Sequence, residues 1–255
     1  MNYIEIVDLL GKQIKDVYAS VAKRHKLKIF DKATYDEVTN IDFEVEKNII
    51  EKIKQLDNNA AFLSEEFNKD TSLLNGRVWI IDPIDGTCNL THGSPHFGIQ
   101  CALIENGNIS LSIIYFPKTR ELFSAVKGEG AYLNGKRIFK VERPVNRCLV
   151  SFGDFIHNDE NMFELEHRII KRTSARVERV RMFGAASMDF AFAACGRLDG
   201  NFTFIKNPWD IVAGILLCRE AGLLVTDAYG NEYDFSRDTV AVFASNELKE
   251  ACIRD

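Results

Sequence analysis

The sequence predicts a layered α+β sandwich. Three observations carry that expectation: helical apolar spacing toward the N-terminus, short β-branched runs with hairpin dipeptides in the middle, and alternating strand and helix signals after Pro144. At 255 residues and 46% hydrophobic content, the chain can bury a large core and is excluded from the disordered class. Single cores stop growing at roughly 250–300 residues, so one compact unit over 1–255 is expected, with any subdomain boundary near residue 145 a packed seam.

Ile4, Val7, Leu10, Ile14, Val17 and Val21 recur at three- and four-residue steps, which predicts an opening amphipathic helix. Residues 25–38 are polar and without a clear period. Thr39-Asn40-Ile41-Asp42 then offers a capping box ahead of Ile41, Val45, Ile49, Ile53 and Leu56, a second helix. From Ala61 to Ile138 the runs Ala61–Ser64, Val78–Ile81, Ile99–Ile104, Ile109–Phe116 and Leu122–Val126 read as strands. Asn106-Gly107 and Asn134-Gly135 are hairpin dipeptides, so this region is predicted to be an antiparallel sheet. Beyond Pro144 the expected order is strand Cys148–Ser151, helix near Glu160–Lys171, strand Val177–Met182, helix Ser187–Cys195 stopped by Gly196, and strand Phe202–Ile205. Helix Pro208–Ala221 is stopped by Gly222, and strands Leu223–Thr226 and Val240–Ala244 precede a short helix from Asn246.

Charge narrows the function. With 32 Lys+Arg against 37 Asp+Glu the net charge is −5, and no basic block exceeds three residues, so nucleic-acid binding by bulk charge is not expected. No apolar run reaches the roughly 18 residues that span a bilayer, and no membrane partner is expected. Six scattered cysteines without a C-x-x-C pair read as reduced, mostly buried thiols, and a cytoplasmic protein is expected.

Acids carry the chemistry. In Trp79-Ile80-Ile81-Asp82-Pro83-Ile84-Asp85-Gly86-Thr87 a buried-strand run ends in two carboxylates three residues apart. Pro83 is expected to turn the chain, and Gly86 permits close backbone approach before a helix begins at Thr87. Asp82, Asp85 and the Ile84 carbonyl are hard oxygens suited to Mg²⁺, and free N–H groups at the helix start suit a phosphate. An ordinary Asp turn with a helix cap reads equally well. Glu65 and Glu66 stand at another strand end or in a solvated loop. Asp210 is a further ligand or simply the third helical residue complementing the macrodipole. Gathering Glu65, Asp82, Asp85 and Asp210 requires cations, because unit charges about 4 Å apart repel by about 4 kcal/mol at an effective dielectric of about 20. Mg²⁺ there would remove that cost and acidify a water for phosphate-ester hydrolysis.

Taken together, W-I-I-D-P-I-D-G-T (79–87), the earlier S-E-E (64–66) and the later P-W-D-I-x-A-G (208–214) resemble the inositol monophosphatase family. Asp36-x-Val38-Thr39-x-x-Asp42, Gly128-x-Gly130-Ala131 with Asn134-Gly135, and Gly184-Ala185-Ala186 leading through Gly196-Arg197-Leu198-Asp199-Gly200 extend the likeness over nearly the whole chain. The resemblance implies an αβαβα sandwich of the sugar-phosphatase (inositol monophosphatase/fructose-1,6-bisphosphatase) type. It further implies a lithium-sensitive phosphomonoesterase using two or three Mg²⁺, commonly a homodimer, that acts on a small phosphorylated metabolite. Carried over by position, Glu65, Asp82, the Ile84 carbonyl, Asp85 and Asp210 would bind metal, and Glu65 with Thr87 would orient the attacking water. Gly86 and Thr87 N–H groups would receive the phosphate, and Asp42 would stand in the outer metal shell.

Departures from the family fall on the substrate side. Thr203 stands where the inositol enzymes carry an acid, Ala185 replaces a hydroxyl residue beside Gly184, Cys88 follows Thr87, and Phe155 occupies a position usually small and polar. Inositol 1-phosphate is the default substrate, with fructose 1,6-bisphosphate, histidinol phosphate and NADP as alternatives, and a non-catalytic regulatory protein as a further one. His92 and His96 are not expected to form a metal pair, because Gly93 and Pro95 break the helical spacing. Cys88 reads as packing, and the basic run from Arg168 to Arg181 reads mostly as a solvated helix face.

Overall fold

A computed structural model describes residues 1–33, 36–69, 71–73, 75–156, 159–204 and 207–254; side chains at 33 and 36 are outside the description. The end of the strand expected at Ile205 and the Asp36 carboxylate therefore lie outside the described residues.

Helix α1 (Tyr3–Arg24) and helix α2 (Asn40–Leu56) follow from the apolar stripes, each opened by a capping box, at Asn2/Glu5 and at Thr39/Asp42. Between them, in the polar stretch that shows no clear period, β1 (Ile29–Ala33) and β2 (Asp36–Thr39) pair antiparallel as a hairpin. Ile29 and Phe30 of β1 stay half exposed and, among the described residues, only Val38 and Thr39 of β2 are buried, too few alternating buried positions to print a period of two on the sequence.

The middle of the chain is a seven-stranded sheet in sequence order: β3 (Ala61–Ser64), β4 (Arg77–Asp85), β5 (Gly98–Glu105), β6 (Asn108–Phe116), β7 (Glu121–Val126), β8 (Gly130–Leu133) and β9 (Lys136–Ile138). It is antiparallel as expected except that β3 and β4 run parallel. Both Asn-Gly turns carry positive φ at each residue, the conformation of a two-residue hairpin. Pro83 does not end β4. Asp82 pairs with Gln100 and Asp85 with Gly98, so β4 spends one extra residue between them. Pro83 lies in that bulge, where a ladder donor is not needed.

The second sheet joins β10 (Leu149–Phe152), β11 (Arg179–Arg181), β12 (Gly200–Thr203), β13 (Leu224–Thr226) and β14 (Val240–Phe243) in the order β11-β10-β12-β14-β13. Between its strands run α4 (Glu160–Ser174), α5 (Ala186–Ala194), α6 (Pro208–Ala221) and, last, α7 (Asn246–Ile253). A five-residue helix, α3 (Thr87–Thr91), follows β4.

Three apolar clusters set the layers. α1 and α2 cover one face of the first sheet through Leu10, Ile14, Val45, Trp79 and Ile81. α5 and α6 fill the space between the sheets, where Phe190, Val212 and Ile215 meet Val78, Ile80 and Val242. α4 and α7 cover the far face of the second sheet with Leu165, Ile169 and Leu248. The result is helix, sheet, helix, sheet, helix, which agrees with the αβαβα expectation. Because β4 is covered on both faces, its sequence is a continuous apolar run rather than an alternating one. No helix among the described residues is long and apolar enough to cross a membrane.

Candidate active site

The parallel register that sets Ser64 beside Ile81 carries Glu65 to the Ile81 carbonyl (N–H donating, 3.2 Å), one residue before Asp82. The bulge then aims Asp82 and Asp85 to one end of the sheet, and the Ile84 N–H closes it by donating to Asp82 Oδ1 at 3.0 Å. Asp210 enters from the first turn of α6. Gln100, opposite Asp82, donates its side-chain N–H to the Asp210 carbonyl at 3.1 Å and ties that helix start to the sheet. Oxygens of Asp82, Asp85 and Asp210 lie within 4.8 Å of one another.

These groups open into a cavity of about 180 Å³ that Glu65, Ile84, Gly86, Thr87, Cys88, Gly184, Ala185 and Thr203 also line. Gly86 turns the chain with φ +85°, and a Cβ there would come within 3.0 Å of the Gly184 and His96 carbonyl oxygens, so only glycine permits this approach of two loops.

The site is electrostatically unsettled without a cation. Burial, then repulsion from Glu65, Asp85 and Asp210, pushes the Asp82 carboxyl well above its ordinary range. Burial and the charges of Asp85 and Glu65 do the same to Asp210. Asp85 is pushed up to about 6, burial outweighing the hydrogen bonds it accepts from Ser187 and Ala186. Such acids are driven either to take up protons or to share a multivalent cation. A set of hard carboxylate oxygens at this spacing suits Mg²⁺.

Asp42, buried at the start of α2, accepts from the Thr39 N–H and from the Thr87 hydroxyl at 2.9 Å. Burial, against those hydrogen bonds, raises its carboxyl to about 6. It therefore caps the helix and touches the site at once. The Thr87 hydroxyl lies between Asp42 and the Ile84 carbonyl, both at 2.9 Å, and Glu65 meets the Lys32 ammonium at 2.8 Å. Glu65 and Thr87 thus share the cavity while their polar contacts go to other groups.

Several residues escaped sequence reasoning. Lys32 comes from the unforeseen hairpin and pairs with both Glu65 and Glu66. Glu46 is buried and holds the Ser64–Phe67 turn, accepting from the Ser64 hydroxyl at 2.5 Å, the Glu66 N–H at 2.9 Å and the Phe67 N–H at 3.1 Å. Its signal was legible: Asp42 and Glu46 are two acids one turn apart within the apolar stripe of α2. Glu37 and Asp154 line the cavity from β2 and from beyond the end of β10.

Among the bland readings, His92 and His96 turn to different partners, the Cys88 carbonyl and the Phe183 ring. Cys88 is corrected: it is exposed on the cavity wall, not packed, with His92 Nδ1 at 3.7 Å from its sulfur. The same nitrogen is 2.9 Å from the Cys88 carbonyl oxygen, which can only accept a hydrogen bond, so the contact nearest to it is the carbonyl and not the thiol. Of the basic run, Arg176 bonds the Ala251 carbonyl of α7 at 3.0 Å, while Arg179 and Arg181 stand on strand β11, not on a helix.

A family model described as the inositol monophosphatase family matches residues 3–255. The chain belongs to the inositol monophosphatase family. Among its relatives, a fructose-1,6-bisphosphatase/inositol-1-monophosphatase of Thermotoga maritima is 36% identical over 209 residues, 80% of this chain and 77% of that protein. A Nus factor SuhB of Vibrio cholerae is 34% identical over 227 residues, 87% of this chain and 84% of that protein. The solved structure of the extragenic suppressor protein SuhB from Bartonella henselae superposes with a TM-score of 0.88 at 30% identity, covering 98% of this chain and 99% of that one. The layers described above are therefore those of the inositol monophosphatase fold.

Proposed function

We propose that this protein is a Mg²⁺-dependent phosphomonoesterase acting on a small phosphorylated metabolite, with inositol 1-phosphate the leading substrate, and that it works as a homodimer. The observation that carries the reading is the meeting of three carboxylates from two separate chain segments, with oxygens within 4.8 Å, in a cavity beside a tight glycine turn.

Asp82, Asp85 and Asp210, with Glu65 and the Ile84 carbonyl, are the groups that would hold two or three Mg²⁺. The ion supplies charge neutralisation and a Lewis acid that lowers the pKa of water. Gly86 and Thr87 would present N–H groups to the phosphate at the start of α3. The Thr87 hydroxyl, fixed by Asp42 and the Ile84 carbonyl, and the Glu65 carboxylate would orient the attacking water. Catalysis of this kind is positioning and charge neutralisation, without a covalent enzyme intermediate. Gly184, Ala185 and Thr203 line the part of the cavity left for the alcohol, and Glu37 and Asp154, which line the same cavity, are the acids that would meet its hydroxyls in place of the one missing at position 203.

Phosphate release from a panel of sugar, polyol, amino-alcohol and nucleotide monophosphates tests the proposal. Activity is expected with Mg²⁺, absent in EDTA, and at least a hundredfold lower in Asp85→Asn or Asp210→Asn. Variants that keep most of the turnover would refute the metal assignment. Relatives described as Nus factors supply the second reading, a regulatory protein on the same fold. No release from any panel member with Mg²⁺ would favour it.

A further inference from the structure

Asp85 is gripped by an element far away in sequence. Its Oδ2 accepts the Ser187 N–H at 2.7 Å and also the Ser187 hydroxyl, while Oδ1 accepts the Ala186 N–H at 3.2 Å. These are first-turn groups of α5, whose N-cap residue Ala185 makes no side-chain cap, so Asp85 caps that helix from strand β4. Ser187 is fully buried and Asp85 nearly so.

The hydroxyl fits only because its neighbour has no side chain. Gly98 pairs with Asp85 across β4 and β5, and a Cβ on Gly98 would come within 2.7 Å of Ser187 Oγ. A Cβ there would also come within 2.8 Å of the Phe116 ring, so position 98 admits no side chain and the slot between β5 and the first turn of α5 is left to the hydroxyl. A carboxylate offers about four acceptor positions. Two donors on Oδ2 and one on Oδ1 leave a single position, on Oδ1, for another partner. The carboxylate torsion, otherwise broad and nearly two-fold, is thereby fixed.

We infer that Ser187 is a positioning residue for the metal site: with the room provided by Gly98, its hydroxyl locks Asp85 so that one Oδ1 lone pair is presented to a divalent cation. The inference rests on the metal reading above and adds to it a residue outside the acidic set. Groups that orient a ligand in this way typically change metal affinity by about 10–100-fold when removed.

The test is calorimetric titration of the metal-free protein with Mg²⁺ or Mn²⁺ alone, with thermal melts in EDTA beside it, for the unaltered protein, Ser187→Ala and Asp85→Asn. Ser187→Ala removes one oxygen from a packed position and is expected to raise Kd about tenfold. Its melting temperature in EDTA should stay close to that of the unaltered protein, and Asp85→Asn should lose the tightest binding step. A Ser187→Ala Kd within twofold of the parent, while Asp85→Asn loses that step, overturns the Ser187 assignment alone. An unaltered protein that takes up neither ion overturns the metal reading and the assignment with it.

Discussion

Glu46 shows how much a single residue can decide. One carboxylate accepts from three groups of the turn that carries Glu65, in a buried setting. Glu46→Ala strands those donors, and a buried donor without a partner costs about 1–3 kcal/mol. The expected loss is at least about 2 kcal/mol in denaturant unfolding, with turnover falling as Glu65 shifts. Glu46→Gln keeps an acceptor oxygen and should lose less in both measurements.

At the scale of an element, the start of α2 serves two ends. Thr39 caps the helix through bonds from the Ile41 and Asp42 N–H groups, and its hydroxyl also meets the Asp42 carboxylate that holds Thr87. Thr39→Ala should cost about 1 kcal/mol of stability in chemical denaturation. It should also reduce turnover, because Asp42 is then less firmly oriented toward Thr87. A Thr39→Ser variant, which keeps the cap, should retain both properties. The bulge in β4 is the other decisive element. A straight strand would send Asp82 and Asp85 to opposite faces, since side chains three residues apart in a strand point apart. The extra residue brings them to one site.

For the whole molecule, the acid cluster couples folding to pH and metal. Asp85 and Asp42 have carboxyls raised to about 6 from an ordinary 3.8, so the folded chain binds their protons more tightly than the unfolded chain. That contribution is fully present below about pH 4 and lost as pH rises through about 6. In EDTA the melting temperature should therefore fall between about pH 5 and pH 7.5. At the higher pH a Mg²⁺ concentration of a hundred times Kd should add about 2.7 kcal/mol, and the same concentration should add less at the lower pH, where protons compete for the carboxylates and raise Kd. Melts over that range, with and without Mg²⁺, check both signs.

Local signals alone determined most of the elements, because apolar periods, caps and Asn-Gly turns are written in neighbouring residues. They also singled out Glu65, Asp82, Asp85 and Asp210 as acids at strand or helix ends. The gathering of those acids was decided by the parallel β3–β4 register, the β4 bulge and the Gln100 tie to α6, which are non-local pairings. The hairpin bearing Lys32 left no period because β1 keeps Ile29 and Phe30 half exposed, and the Ser187 grip on Asp85 spans about a hundred residues. Contacts between distant segments leave no regular spacing in a sequence, so only packing the layers could reveal them.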